Sequence, residues 1–318
     1  MSAGRTLLAT AVMHQSNLNS MRPAILSIPN MTATTAYLCR GLLFSALILM
    51  VPLDSFAVPT SEEIREDIRQ FQKFFFSRFP EIPLEAYQDG VNALPQYASK
   101  RLSWELLMEF PPYETEMISA REQWLETLPS GGSLKQCFAG KPPPTAYPYF
   151  FDGEVHTIVG DINSCLVQNG AQELSGMSGQ MARLAAAFKS PWSGQTLDVD
   201  FRSEEIRRLY QKGRQYFWAK RGQMNLSCAN CHVHNAGNQL RGDVLSAALG
   251  HTTGYPAYST RWSTEGEPLG TLHRRYAQCN ALVGAAPHAT QSEEYIALEI
   301  YQAIMSAGIP LKVPSQRQ

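Results

Sequence analysis

Cys228-Ala229-Asn230-Cys231-His232 is the stretch on which the reading of this chain turns. Two thiols spaced this way can each form a thioether to a vinyl group of haem. The histidine that follows then sets an imidazole under the iron as the proximal ligand. No second Cys/His pair at zinc spacing follows, which weighs against a zinc site. The motif marks a c-type cytochrome and moves the question to the other face of the haem.

With 318 residues the chain has room for two domains. Its formal net charge of −1 hides an uneven distribution. Residues 58–199 hold 11 basic and 18 acidic side chains, whereas residues 200–280 hold 11 and 6. The basic haem-bearing half suits an anionic substrate or an acidic partner face, and solvated surface charge is the equally simple alternative. A basic run with interleaved aromatics is missing, which argues against nucleic acid.

Residues 42–51 (LLFSALILMV) form an apolar run too short to cross a bilayer comfortably. Arg40 precedes it, and Ser55-Phe56-Ala57 follows with small residues at a cleavage position. Residues 1–57 therefore read as a signal region, with Met21 or Met31 as other candidate starts and cleavage near Ala57. An uncleaved anchor is the alternative. The expected location is the periplasm, where covalent haem attachment takes place. Cys39 would be lost with the leader, and Cys137, Cys165, Cys228, Cys231 and Cys279 would enter an oxidising compartment.

Helical patterns dominate. Residues 61–76, 113–128 and 293–307 carry helical stripes, and Ser203-Glu204-Glu205 opens another helix that runs up to the haem motif. An echo recurs at a separation of 114 residues: Cys165 with Cys279, Gly170 with Gly284, Leu184 with Leu298, Gly194 with Gly308. The second half thus reads as a duplicate of the first. In that register Cys137-Phe138-Ala139-Gly140-Lys141 stands where the haem motif should be, without its second cysteine and histidine. The expected fold is mostly α, with two cytochrome c-like domains: a degenerate, haem-free one over 58–195 and a haem-binding one over 196–318. Cys137 and Cys165 are then free to form a disulfide, two unpaired thiols being the alternative. Pairing them leaves Cys279 as the odd thiol, 47 residues after His232 and next to Arg274 and Arg275. Adjacent guanidinium groups favour thiolate, the form that ligates iron and attacks sulfur.

The run NLSCANCH, LRGDVLSAALGHTTGYPAYSTRW, LGTLHRRYAQC and EEYIALEIYQAIMSAGIPL resembles the carboxy-terminal haem domain of the SoxA family. That family is the haem subunit of the SoxAX thiosulfate-oxidising cytochrome, an L-cysteine S-thiosulfotransferase. Because CFAGK cannot replace C-x-x-C-H, the chain is similar to the single-haem type, with one covalently bound haem c. The resemblance implies that His232 is the proximal ligand. Cys279 is implied as the distal ligand, carrying the sulfur chemistry as a persulfide. It further implies that Arg275 and Arg241 bind substrate, that a SoxX-type monohaem cytochrome is the heterodimer partner, and that the acceptor is a cysteine on the carrier SoxYZ.

Two other readings compete. A plain electron-transfer cytochrome would need a methionine ligand, but Met305 lies in a helix and Met224 precedes the motif. A scaffold without chemistry would leave Cys279, Arg275 and Arg241 unexplained. Among the histidines, His251, His273 and His288 read as core or surface groups, with one of them in place of Cys279 as ligand the alternative, and His234 as facing away from the iron.

Overall fold

Side-chain caps decide where the helices begin. Described here in a computed structural model covering residues 57–317, the chain forms helices α1 (Ser61–Arg78), α2 (Ala98–Glu109), α3 (Glu114–Leu125), α4 (Leu134–Cys137) and α5 (Ile158–Gln168), followed by α6 (Gly179–Lys189), α7 (Glu204–Trp218), α8 (Thr260–Thr264), α9 (Leu272–Leu282) and α10 (Glu293–Met305). The signal region expected over 1–57, with Cys39 and the candidate starts, lies outside the described residues but for Ala57. Thr60 and Glu63 close a capping box on α1, and Ser203 accepts from the Ile206 N–H to start α7. The helix read over 113–128 stops at Leu125. Glu126 turns extended, and the Leu128 N–H is drawn to the Gly132 carbonyl of the following turn. No helix among the described residues is long and apolar enough to cross a membrane.

The mostly-α fold expected from the sequence is observed, and the strands are all short. β1 (Tyr149–Phe151) and β2 (Glu154–His156) form one hairpin, β3 (Gln239–Leu240) and β4 (Asp243–Val244) another. β5 (Ala257–Ser259) is the centre of a three-stranded sheet, antiparallel to β6 (Leu269–Gly270) and parallel to β7 (Ser315–Arg317).

The 114-residue echo has a structural counterpart. Thr157 caps α5 and Thr271 caps α9; Ser178 caps α6 and Ser292 caps α10. Gly170 and Gly284 follow the first helix of each pair in the left-handed conformation that glycine adopts without strain. The two copies also meet through matching bonds. Gly194 N–H donates to the Leu311 carbonyl and Gly308 N–H to the Leu197 carbonyl, each bond the image of the other after exchanging copies.

Cores do not follow chain order. Ile64, Phe71 and Phe75 of α1 share one cluster with Ile206, Tyr210 and Phe217 of α7 and with Leu298 and Ile304 of α10. A second cluster joins Leu134, Phe138, Ile162, Cys165 and Leu184. The α7–α10 contact depends on Gly213, where a Cβ would collide with the Ala297 carbonyl oxygen. Gly213→Ala is expected to lower stability by about 1–3 kcal/mol, because rigid backbone rather than a movable side chain blocks the added methyl. Urea unfolding with haem content held equal measures it, and an unchanged midpoint would show that the helices can separate freely.

Candidate active site

The haem motif sits between two local devices. Ser227 and Asn230 bond each other's backbone N–H, at 3.1 and 2.9 Å, and a π-helical turn spans Asn230–His234. His232 Nδ1 lies 3.0 Å from the Ser246 carbonyl oxygen, so this nitrogen is the donor and Nε2 keeps its lone pair for a metal. Burial pushes the His232 imidazole down to about 4, and the Arg275 charge adds to that effect.

Cys279 lies on α9, and Arg275 precedes it by one helical turn on the same face. The two are electrostatically coupled: Cys279 is the largest influence on Arg275, raising its affinity for the proton. Arg274 points elsewhere, pairing with Glu265 at 2.8 Å and covering the Trp262 ring at 4.8 Å. Cys228 is pushed up to about 11 and Cys231 is raised, in both cases first by burial and also by Cys279. Cys228, Cys231, His232, Arg275 and Cys279 are therefore brought into one neighbourhood.

Arg241 is placed differently. It occupies the tip of the β3–β4 hairpin with φ +58°, exposed, and forms no hydrogen bond or ion pair with the other described residues. Cys137 and Cys165 are joined as a disulfide, which leaves Cys228, Cys231 and Cys279 as the free cysteines among the described residues. Met305 is buried in the main core and Met224 is half exposed, so neither is arranged as a ligand.

Sequence reasoning left His251 open and passed over Arg317 and Lys189. The His251 ring stands edge-on to His232 with centroids 4.5 Å apart, and Ser246 Oγ lies 3.0 Å from its Nε2. Its Nδ1 faces Gln302, which accepts from Tyr276, so a polar chain backs His232. Lys189, pushed down to about 8 by burial, donates to the Tyr255 and Thr252 carbonyls and secures the loop before β5. The cavity beside it, about 50 Å³ and lined by Tyr255, His273 and Glu299 among others, has room for water.

The donor set fits haem. No group of three or more His, Cys, Asp or Glu among the described residues could hold a bare ion, whereas one imidazole, one thiol and two further thiols suit a macrocycle that brings its own nitrogens.

No protein-family model matches the chain. The L-cysteine S-thiosulfotransferase subunit SoxA of Chlorobaculum tepidum is 40% identical over 288 residues, covering 88% of this chain and 98% of its own. The subunit of the same name from Allochromatium vinosum is 34% identical over 287 residues, covering 88% and 99%. Among solved structures, SoxXA from P. pantotrophus matches with a TM-score of 0.58 at 22% identity, over 65% of this chain and 79% of that one. That last likeness is one of fold.

Proposed function

The chain belongs to the SoxA family, and from that premise we propose that it acts in thiosulfate oxidation as an L-cysteine S-thiosulfotransferase subunit, conjugating thiosulfate to a carrier-protein cysteine of SoxYZ type. The observation that carries the reading is a free thiol, Cys279, one helical turn from a guanidinium, Arg275, on the same face of α9, with both haem-motif thiols under its electrostatic influence.

Haem held by thioethers at Cys228 and Cys231, with His232 and Cys279 as ligands, supplies a one-electron relay when bound. The chain's own residues do the rest. Arg275 offsets the charge of the dianion, and arginine donors hold sulfonate-type oxygens several at a time. The Cys279 sulfur, free or as its persulfide, bonds to the outer sulfur of thiosulfate. Thiolate and dianion lose two electrons in forming that bond, and the electrons pass to cytochrome c. The carrier thiolate then attacks the outer sulfur, and Cys279 leaves as thiolate, or as perthiolate where it reacted as its persulfide, so the second step is redox-neutral exchange. Arg241, exposed on its hairpin, is proposed to meet the anionic substrate as it arrives.

A SoxX-type monohaem partner and a periplasmic setting complete the proposal. The stripe Leu102, Leu106 and Phe110, 56–85% exposed along and just beyond α2, is apolar surface of the kind association buries. The two-domain division at 195/196 is also part of it, with the proviso that α1 packs in the core of the haem-bearing half.

The test combines holoprotein, thiosulfate, oxidised cytochrome c and a carrier bearing one reactive cysteine. Thiosulfate-dependent reduction with a thiosulfonate mass added to the carrier supports the reading; reduction without mass transfer would leave an electron carrier. Arg275→Gln is expected to raise KM for thiosulfate by roughly tenfold or more, the loss of one charge-assisted contact.

A further inference from the structure

The polar chain behind His232 is longer than the single acceptor a ligating histidine needs. His232 Nδ1 donates to the Ser246 carbonyl at 3.0 Å, and the Ser246 hydroxyl lies 3.4 Å from the same nitrogen, a second acceptor for one proton. His251 Nε2 stands 3.0 Å from that hydroxyl. Behind it, Gln302 Nε2 lies 3.4 Å from His251 Nδ1, and Gln302 Oε1 accepts from the Tyr276 hydroxyl on α9. Tyr276 is three residues before Cys279, so the chain runs from the helix of the free thiol to the back of the haem-motif histidine.

Each partner fixes the next. With Oε1 taken by the Tyr276 hydroxyl, the Gln302 amide presents an N–H to His251. Nδ1 of His251 is then the acceptor, and the ring keeps its proton on Nε2, aimed at the Ser246 hydroxyl oxygen. An oxygen engaged in this way competes less for the His232 N–H, which stays on the carbonyl. The segment is also tied down through its backbone: Ala248 N–H donates to the His232 carbonyl at 2.9 Å and Gly250 N–H to Ser306 Oγ at 3.1 Å. Gln302 and Tyr276 are buried, so a partner lost here is not replaced from bulk water.

The duplicated half serves as an internal control. In the 114-residue register Tyr276 corresponds to Ile162 and Gln302 to Phe188. Ile162 lies in the apolar cluster of that half, and Phe188 packs against it. The corresponding helices, α5 with α6 and α9 with α10, thus carry hydrocarbon at these positions in the half without a haem motif and a hydroxyl–amide pair in the half that has one. A buried hydrogen-bonded pair adds little net stability over apolar side chains of similar size. The chain accompanies the site, not the fold.

We infer that His251 and Gln302 are positioning residues for His232: acting through Ser246, they hold the imidazole N–H on the backbone carbonyl and keep the ring a strong donor to iron. This rests on the haem-ligand role of His232 proposed above. An imidazole whose N–H is held by a good acceptor is the more basic ligand, and a more basic ligand favours ferric over ferrous iron. Loosening the chain therefore moves the balance toward ferrous.

His251→Leu, His251→Gln and Gln302→Met are prepared as haem-loaded complexes with the partner cytochrome. The low-spin ferric EPR signal of the haem on this chain is followed through a redox titration, with the partner's signal as internal reference. The leucine variant is expected to shift the equilibrium about tenfold toward ferrous, which is about 59 mV for one electron. Gln302→Met keeps the imidazole but removes the amide that orients it, and is expected to shift the equilibrium about threefold the same way. His251→Gln, whose amide accepts from Gln302 and donates to Ser246, is expected to stay within about twofold of wild type. A glutamine variant that moves as far as the leucine variant overturns the inference, since ring volume alone would then explain both. A shift toward ferric, or one below twofold in either His251→Leu or Gln302→Met, overturns it as well. If the leucine variant fails to attach haem, Gln302→Met decides by the same threshold. A wild-type complex without a low-spin ferric signal for this haem would instead remove the ligand reading on which the inference stands.

Discussion

Replacing Cys279 by serine is expected to cut thiosulfate-dependent turnover by at least about 10³-fold, the scale on which loss of a nucleophile acts. The same variant is expected to lose a thiolate-type low-spin ferric EPR signal that the wild type shows. Both expectations follow from one arrangement. Cys279 is a free cysteine on the face of α9 that carries Arg275, and its charge is felt by Cys228, Cys231 and Arg275 alike. A hydroxyl in its place has little nucleophilicity toward sulfur and is a weak ligand to ferric iron. The substitution is nearly isosteric and Cys279 is only partly buried, so folding and haem attachment are expected to survive. Haem content therefore serves as the control. Retained turnover with the EPR signal lost would make Cys279 a ligand without a chemical role. Lost turnover with an unchanged His/Met or bis-His signal would move it off the iron and leave a thiol that acts alone.

Why Cys279 was legible in the sequence, and Arg317 was not, is a matter of range. The haem motif is local: thioether chemistry needs two thiols and an imidazole within five residues, so their spacing announces it. Helix starts are equally local, and Ser203 with Glu204 and Glu205 caps α7 where the pattern places it. The pairing of Arg275 with Cys279 is a single helical turn. Arg317 has no such neighbour. A lone arginine near Gln316 reads as surface charge, and only the parallel pairing of β7 with β5 sets its guanidinium against Gly90 and Gly254 from distant segments. His251 stayed open for the same reason, since its contact with His232 spans a loop. Arg241 illustrates the reverse. Its segment looks like a pocket loop, but Arg241-Gly242 forms the two-residue turn of a hairpin and carries the side chain outward. The missed helix α2 has no buried residue, so nothing in its packing fixes the stripe that Leu102, Leu106 and Phe110 form.

Removing the Cys137–Cys165 disulfide is expected to cost stability without touching the chemistry. With the cysteines 28 positions apart in sequence, loop-closure entropy gives about 3–4 kcal/mol, or roughly 6–16 °C in Tm for a chain of this size. The double variant Cys137→Ser, Cys165→Ala suits the test, because Cys165 is 2% exposed and a serine there would bury an unmatched hydroxyl. The disulfide supports a cluster of Leu134, Phe138, Ile162 and Leu184 that is separate from the core behind His232. KM and kcat are accordingly expected to stay within twofold of wild type at 25 °C, while the thermal midpoint falls. Cys165 occupies the register of Cys279, so the opposite result has a definite meaning. Turnover that drops with the midpoint unchanged would show that the haem-free half takes part in sulfur transfer. The surroundings argue for the structural role: Asp161 stands where the site has Arg275, and a carboxylate there repels both thiosulfate and the thiolate that would attack it.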